Sequence, residues 1–196
     1  MENPTGTKPN TVVEIASNGD LVLIVGPEET KLRVCSILLI AASKPFSVML
    51  GPDWKEGHNM HNQHGPFELS LPDDNATALK IVCSIIHHQN ETVPRTLAAS
   101  DILAIAVVAD KYLCTNALKF ASETWLRTFG SEPHNLMLLT ASAYLFRNAQ
   151  AFSEITRDLV LEYDGSYLAL RTDEVDLLCH GGYSASTPRL VCNMAD

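Results

Sequence analysis

The sequence lacks an apolar run long enough to cross a membrane. The longest, residues 102–109, is less than half of the ~20 residues that a spanning helix needs. Its first ten residues hold no apolar stretch of the secretory type, so no export signal is expected. There is no Cys-x-x-Cys pair. The five cysteines, Cys35, Cys83, Cys114, Cys179 and Cys192, are odd in number and widely spaced, which does not read as a disulfide framework. Three of them fall in apolar periodic segments, where a free thiol behaves as a small buried hydrophobe. A reducing compartment, cytoplasm or nucleus, is the expectation. Basic clusters are missing as well: 14 Lys and Arg against 23 Asp and Glu give a net charge of −9, and nowhere do three basic residues fall together. Such a balance repels a phosphate backbone, so neither nucleic acid nor membrane is expected as a partner.

Catalytic signatures are equally scarce. No Gly-x-Ser-x-Gly, glycine-rich phosphate loop or His-Glu-x-x-His occurs. Cys35, Cys83 and Cys114 sit on apolar faces, where desolvation makes a thiol inert. The chain therefore reads as non-enzymatic and without a cofactor. What it does have is core material: 46% of its 196 residues are hydrophobic and only 19% are charged, the texture of a folded domain.

Residues 1–10, with two prolines and no periodicity, read as a disordered tail. Two β-branched runs, residues 11–16 and 21–25, are joined through Asn18-Gly19 and predict a hairpin. Its edge is a candidate self-association face. Residues 31–34 alternate charged and apolar, as a strand with one solvated face does. From Ser36 the chain turns aliphatic and fits two short helices, with Pro45 in the first turn of the second. A polar loop over residues 51–65 precedes a strand at Phe67–Leu71. Asp73-Asp74-Asn75 then caps a helix with Leu79, Val82, Cys83 and Ile86 on its apolar side. Ser100-Asp101 is expected to cap the next helix, through Ile102, Ile105, Ala106 and Ala109. A third carries Cys114, Leu118, Ala121 and Trp125. Beyond a boundary at residues 129–133, two amphipathic helices follow, at about 135–146 and around Phe152, Ile155, Leu159 and Val160. Strands first and helices after, with no alternating βαβ unit, make the class α+β.

These pieces, in this order over residues 19–128, resemble the BTB/POZ domains, and more specifically those of filamentous fungi. The resemblance rests on the Asp-led strand from Asp20 to Gly26 and on Leu39, Ser43 and Phe46 ahead of Met49-Leu50. It continues in Glu56, in Leu71-Pro72-Asp73-Asp74, in the helix starting near Ala78-Leu79, and in Ile85-Ile86-His87 and Val93-Pro94. Residues 105–112, Cys114 and Trp125 complete it, and residues 138–162 look like the helical segment that follows the domain in the fungal proteins. It implies a small mixed sheet packed under a cluster of helices, with a domain at 11–128, a helical extension at 131–180 and a flexible tail at 181–196. It further implies a protein–protein interaction module, serving as a substrate adaptor for a cullin ubiquitin ligase. The alternatives are a homo-oligomerising domain of a transcriptional regulator and a stand-alone scaffold. Two departures matter: Cys35 stands where many animal members have His, and Ala42 where they have Arg. In dimeric transcription-factor members that Arg and the Asp matching Asp20 line a co-repressor pocket, so that role is not carried over.

Trp54-Lys55-Glu56 follows the aromatic-x-Glu pattern by which family members dock on cullins. An exposed aromatic supplies anchor area at low entropy cost, and the carboxylate sets the register. The competing reading has Trp54 packed on the domain and Glu56 capping a turn. His58, His61 and His64 recur at every third position in the same loop, but they come without a fourth ligand in fixed spacing, so no metal is expected. His87-His88 ends a helix, where a partly protonated imidazole would complement the dipole. Asn75-Ala76-Thr77 and Asn90-Glu91-Thr92 are sequons that should stay unused without export.

Overall fold

The computed structural model of the chain describes residues 12–52, 65–127 and 132–165. The class is α+β, with a small mixed sheet of four strands and seven helices among the described residues. They fall in two compact units, one ending at Val93 and the other beginning at Pro94. The expected domain of residues 11–128 takes in the first unit and part of the second. Both expected tails, 1–10 and 181–196, lie outside the described residues.

In the first unit the strands are β1 (Val13–Glu14), β2 (Leu21–Val25), β3 (Thr30–Val34) and β4 (Phe67–Leu71). Their order in the sheet is β1-β3-β2-β4. β2 runs antiparallel to β3 and parallel to β4, and in-register rows result: Val34–Leu21–Phe67 and Leu32–Leu23–Leu69. All six side chains are buried, because period-2 alternation puts them on one side of the pleat. The other side carries Arg33–Val22–Glu68 and Lys31–Ile24–Ser70, with Lys31 Nζ 2.8 Å from Glu68 Oε1.

The expected hairpin of residues 11–16 and 21–25 does not form. β1 pairs parallel with β3, which lies between it and β2. A two-residue type I′ hairpin needs positive φ at both central positions, and neither Asn18 nor Gly19 has it. Instead Gly19 N–H donates to the Ala16 carbonyl at 3.0 Å, and the chain crosses close against the end of β3. A Cβ on Gly19 would stand 2.5 Å from the Val34 carbonyl oxygen, so the glycine is there for close approach. The hairpin that does form is β2–β3, turned at Gly26 (φ 71°) and Glu29 (φ 53°).

Helices α1 (Ser36–Ala42) and α2 (Lys44–Met49) meet at Ser43, whose extended backbone ends one and begins the other. Its Oγ accepts from Phe46 N–H at 3.2 Å, with Pro45 in the first turn as expected. α3 (Ala76–Ile86) starts where the cap signal put it: Asn75 Oδ1 accepts from Ala78 N–H at 2.9 Å. A single 3-10 turn, Asn90–Thr92, closes the unit.

The second unit is helical: α4 (Ala99–Lys111), α5 (Lys119–Trp125), α6 (Pro133–Leu145) and α7 (Ala149–Glu162). α6 packs against both α4 and α7. Two starts differ from expectation. Ala98, not Ser100, is the N-cap of α4, so Asp101 lies inside the first turn, where its charge favours the dipole. α5 begins at Lys119 rather than Cys114, after a run of turns in which Ala117, Leu118 and Lys119 each donate to the residue three back. Leu39, Phe46, Leu79, Val82, Ile105, Leu118 and Trp125, the expected core, are all buried. Trp125 Nε1 donates to the Pro94 carbonyl at 2.8 Å, which satisfies the polar end of the ring. Among the described residues no helix is long and apolar enough to cross a membrane.

Candidate functional site

Trp54, Lys55 and Glu56, the expected partner-binding residues, lie outside the described residues, as do His58, His61 and His64. The segment that leads to them is described: α2 ends at Leu50, which is buried, and Gly51 N–H donates to the Val48 carbonyl at 3.0 Å.

What the fold assembles in this unit is a polar junction where β3 passes into α1. Cys35, the N-cap of α1, offers no side-chain cap. Two groups distant in sequence take over. Asp20, at the head of β2, accepts Ser36 N–H on Oδ1 at 2.8 Å and Ser36 Oγ–H on Oδ2 at 2.6 Å. His87, the C-cap of α3, accepts Cys35 N–H on Nε2 at 2.8 Å. Its Nδ1 lies 2.8 Å from the Cys83 carbonyl, which can only accept, so Nδ1 carries the proton and the ring is neutral. Burial pushes the His87 pKa below its ordinary value of 6.5, and the neighbouring His88 lowers it further. This corrects the expectation of a partly protonated imidazole: the ring serves as a neutral bridge between two main-chain groups. Asp20 is likewise occupied in starting a helix.

The outer side of α1 is apolar. Ile37 is 72% exposed and Ile40 36%, with Ala41 exposed beside them and Val48 of α2 39% exposed. Sequence reasoning missed this surface, although the signal was present. A seven-residue helix that is aliphatic on every side cannot bury all of them against one layer.

The thiols described are Cys35, half-buried, and Cys83 and Cys114, buried; none is in a disulfide. Burial pushes Cys114 up to about 12, which leaves it protonated and unreactive. Among the described residues no three His, Cys, Asp or Glu side chains come together as a metal site. In the second unit a cleft of about 260 Å³ is lined by polar groups including Glu123, Arg127, Asn148, Gln150 and Glu154. These serve local structure: Asn148 Oδ1 caps α7 through Ala151 N–H at 3.0 Å, and Gln150 Nε2 donates to Glu154 Oε1 at 3.0 Å.

Among known proteins, no family model matches this chain and no curated protein matches it. The fold offers a helix α1 with an apolar outer side, held at its start by Asp20 and His87.

Proposed function

We propose that the chain is a non-enzymatic protein–protein interaction module of the BTB/POZ type, an intracellular adaptor that docks on a cullin through Trp54, Lys55 and Glu56. The observation that supports this most is the element order of the first unit. An antiparallel β2–β3 pair is followed by two short helices, a returning strand β4 parallel to β2, and a capped helix α3. Leu39, Ser43 and Phe46, three residues on which the resemblance rests, are buried together in the α1–α2 segment. The buried thiols, with Cys114 held protonated, support a non-catalytic role in a reducing compartment. The deciding experiment is capture from a cell lysate with wild-type chain and with Trp54→Ala, followed by mass spectrometry. A cullin retained by the first and lost by the second is the expected result. A wild type that retains no cullin removes the adaptor reading.

One observation favours the second reading, a homo-oligomerising module. Ile37 and Ile40, three residues apart on α1, are exposed, and so is Val48 on α2; exposed apolar side chains of this kind mark interaction sites when they cluster. Sedimentation across a concentration series tests it: self-association that disappears in Ile37→Lys supports this reading, and a monomer at every concentration excludes it.

A further inference from the structure

The bonds of His87 are an arrangement that only one protonation state can make. Nδ1–H donates to the Cys83 carbonyl on α3, and the bare Nε2 accepts the Cys35 amide at the start of α1. The two bonded partners are 48 residues apart in sequence, so the ring is a tertiary tie. A proton added at Nε2 would point N–H at N–H, and the Cys35 amide would lose its acceptor. The first turn of α1 has no acidic side chain that could reach back and replace it.

We propose that His87 is a pH-sensitive latch, which fastens the start of α1 to the end of α3 while the ring is neutral and releases it when the ring takes up a proton.

The surroundings bear on when this happens. On its own helix His87 has the adjacent His88, whose charge opposes a second one, and the exposed Lys80; Cys83 contributes its carbonyl. At the junction stand the half-buried Cys35 thiol and the Asp20 carboxylate, both of whose oxygens are taken by Ser36. The cations of β3 are engaged elsewhere, Lys31 with Glu68 and Arg33 with Glu14. α1 has no charged residue, Lys44 of α2 is exposed, and so is Glu91 on the 3-10 turn. No described carboxylate bonds the ring to hold a proton on it, so release belongs to mild acid below the ordinary histidine range. Release would loosen the seat of α1, whose outer side carries Ile37 and Ile40. The latch thus makes pH a control on the apolar surface of this unit, whichever partner that surface meets.

The test is amide exchange and ring-nitrogen NMR on the full chain, from about pH 7.5 down to about pH 5. At neutral pH the ring should show the Nδ1–H tautomer. As it titrates, Cys35 amide protection, corrected for the intrinsic rate, should fall about tenfold or more, while Leu23 and Leu69 in the sheet keep theirs. In His87→Gln, whose amide can accept a hydrogen bond but gains no proton, the Cys35 response should be flat. The proposal is overturned by an Nε2–H tautomer, by Cys35 protection independent of pH, by sheet amides lost at the same pH, or by a Gln variant that keeps the wild-type response. The wild-type measurements decide the matter without the variant.

Discussion

Three helices end on a residue that geometry would give to glycine. His88 (φ 59°), Leu113 (φ 49°) and Arg147 (φ 58°) follow α3, α4 and α6 in the left-handed region. In each case the next residue closes the motif, as where Cys114 N–H reaches the Ala109 carbonyl at 2.9 Å and Asn148 N–H the Ala143 carbonyl at 2.9 Å. A side chain there costs about 1–2 kcal/mol. Leu113 is the cleanest place to recover part of it, being 47% exposed. Leu113→Gly should stabilise the protein by about 0.5–1 kcal/mol, since relieved strain outweighs the added freedom of the unfolded chain. A lower melting temperature in the variant would show that Leu113 packs better than its exposure suggests.

His87 and Asp110 give stability two pH dependences of opposite sign. The folded-state pKa of His87 lies below 6.5, so the unfolded chain binds its proton first. The contribution of the neutral ring is whole above about 6.5 and is lost as pH falls from there through the folded pKa. Burial raises the Asp110 carboxyl above 3.8, and Arg147, 3.7 Å away, partly offsets this. Ionised Asp110 therefore subtracts stability at neutral pH, and the loss is relieved as pH drops through its raised pKa toward 3.8. Denaturant titrations between these ranges should show His87→Gln flattening the upper limb only. Arg147→Gln should raise the Asp110 pKa further, because it removes the charge that lowers it.

At the scale of elements, local signals were legible and pairings at a distance were not. β4 could be read from the alternation of Phe67, Leu69 and Leu71, and α3 from Asn75 followed by Leu79, Val82 and Ile86, because each needs only a few neighbouring residues. The place of β1 could not. An Asn-Gly between two β-branched runs carries the hairpin signal, but which strand pairs with which depends on β3, whose turn at Gly26 wins the contest for β2. Asp20 and His87 escaped for the same reason: their partners at Ser36 and Cys35 are set by tertiary folding. The start of α1 is accordingly an element held from outside itself. Asp20→Ala should leave Ser36 N–H without its acceptor and cost about 1 kcal/mol, as a lost helix cap does, in a chemical-denaturation comparison. Leu79→Ala, inside α3 and fully buried, should cost about 2–5 kcal/mol. The contrast between the two separates anchoring of an element from packing of the core.

For the molecule as a whole, the question is whether Trp54 meets a partner or the protein itself. The two arrangements of Trp54 make opposite demands. An anchor that docks on a cullin must stand clear of the core, beside Glu56. Replacing it with Ala should weaken cullin binding by about 2 kcal/mol, the loss typical of a central aromatic in an interface, with the melting temperature nearly unchanged. A Trp54 packed on the domain fills volume that Ala cannot, and its loss should cost about 3–5 kcal/mol of stability. Loss of binding in the pull-down counts for docking only where the melting temperature is kept. Added zinc supplies the control on the same stretch of sequence. A native site at His58, His61 and His64 would raise the melting temperature by mass action, and none is expected. A zinc-dependent rise that vanishes when the three histidines become Ala would mean that the metal organises that stretch. Trp54 would then have to be retested with zinc bound, and a cullin contact that appears only in that state would tie docking to the metal.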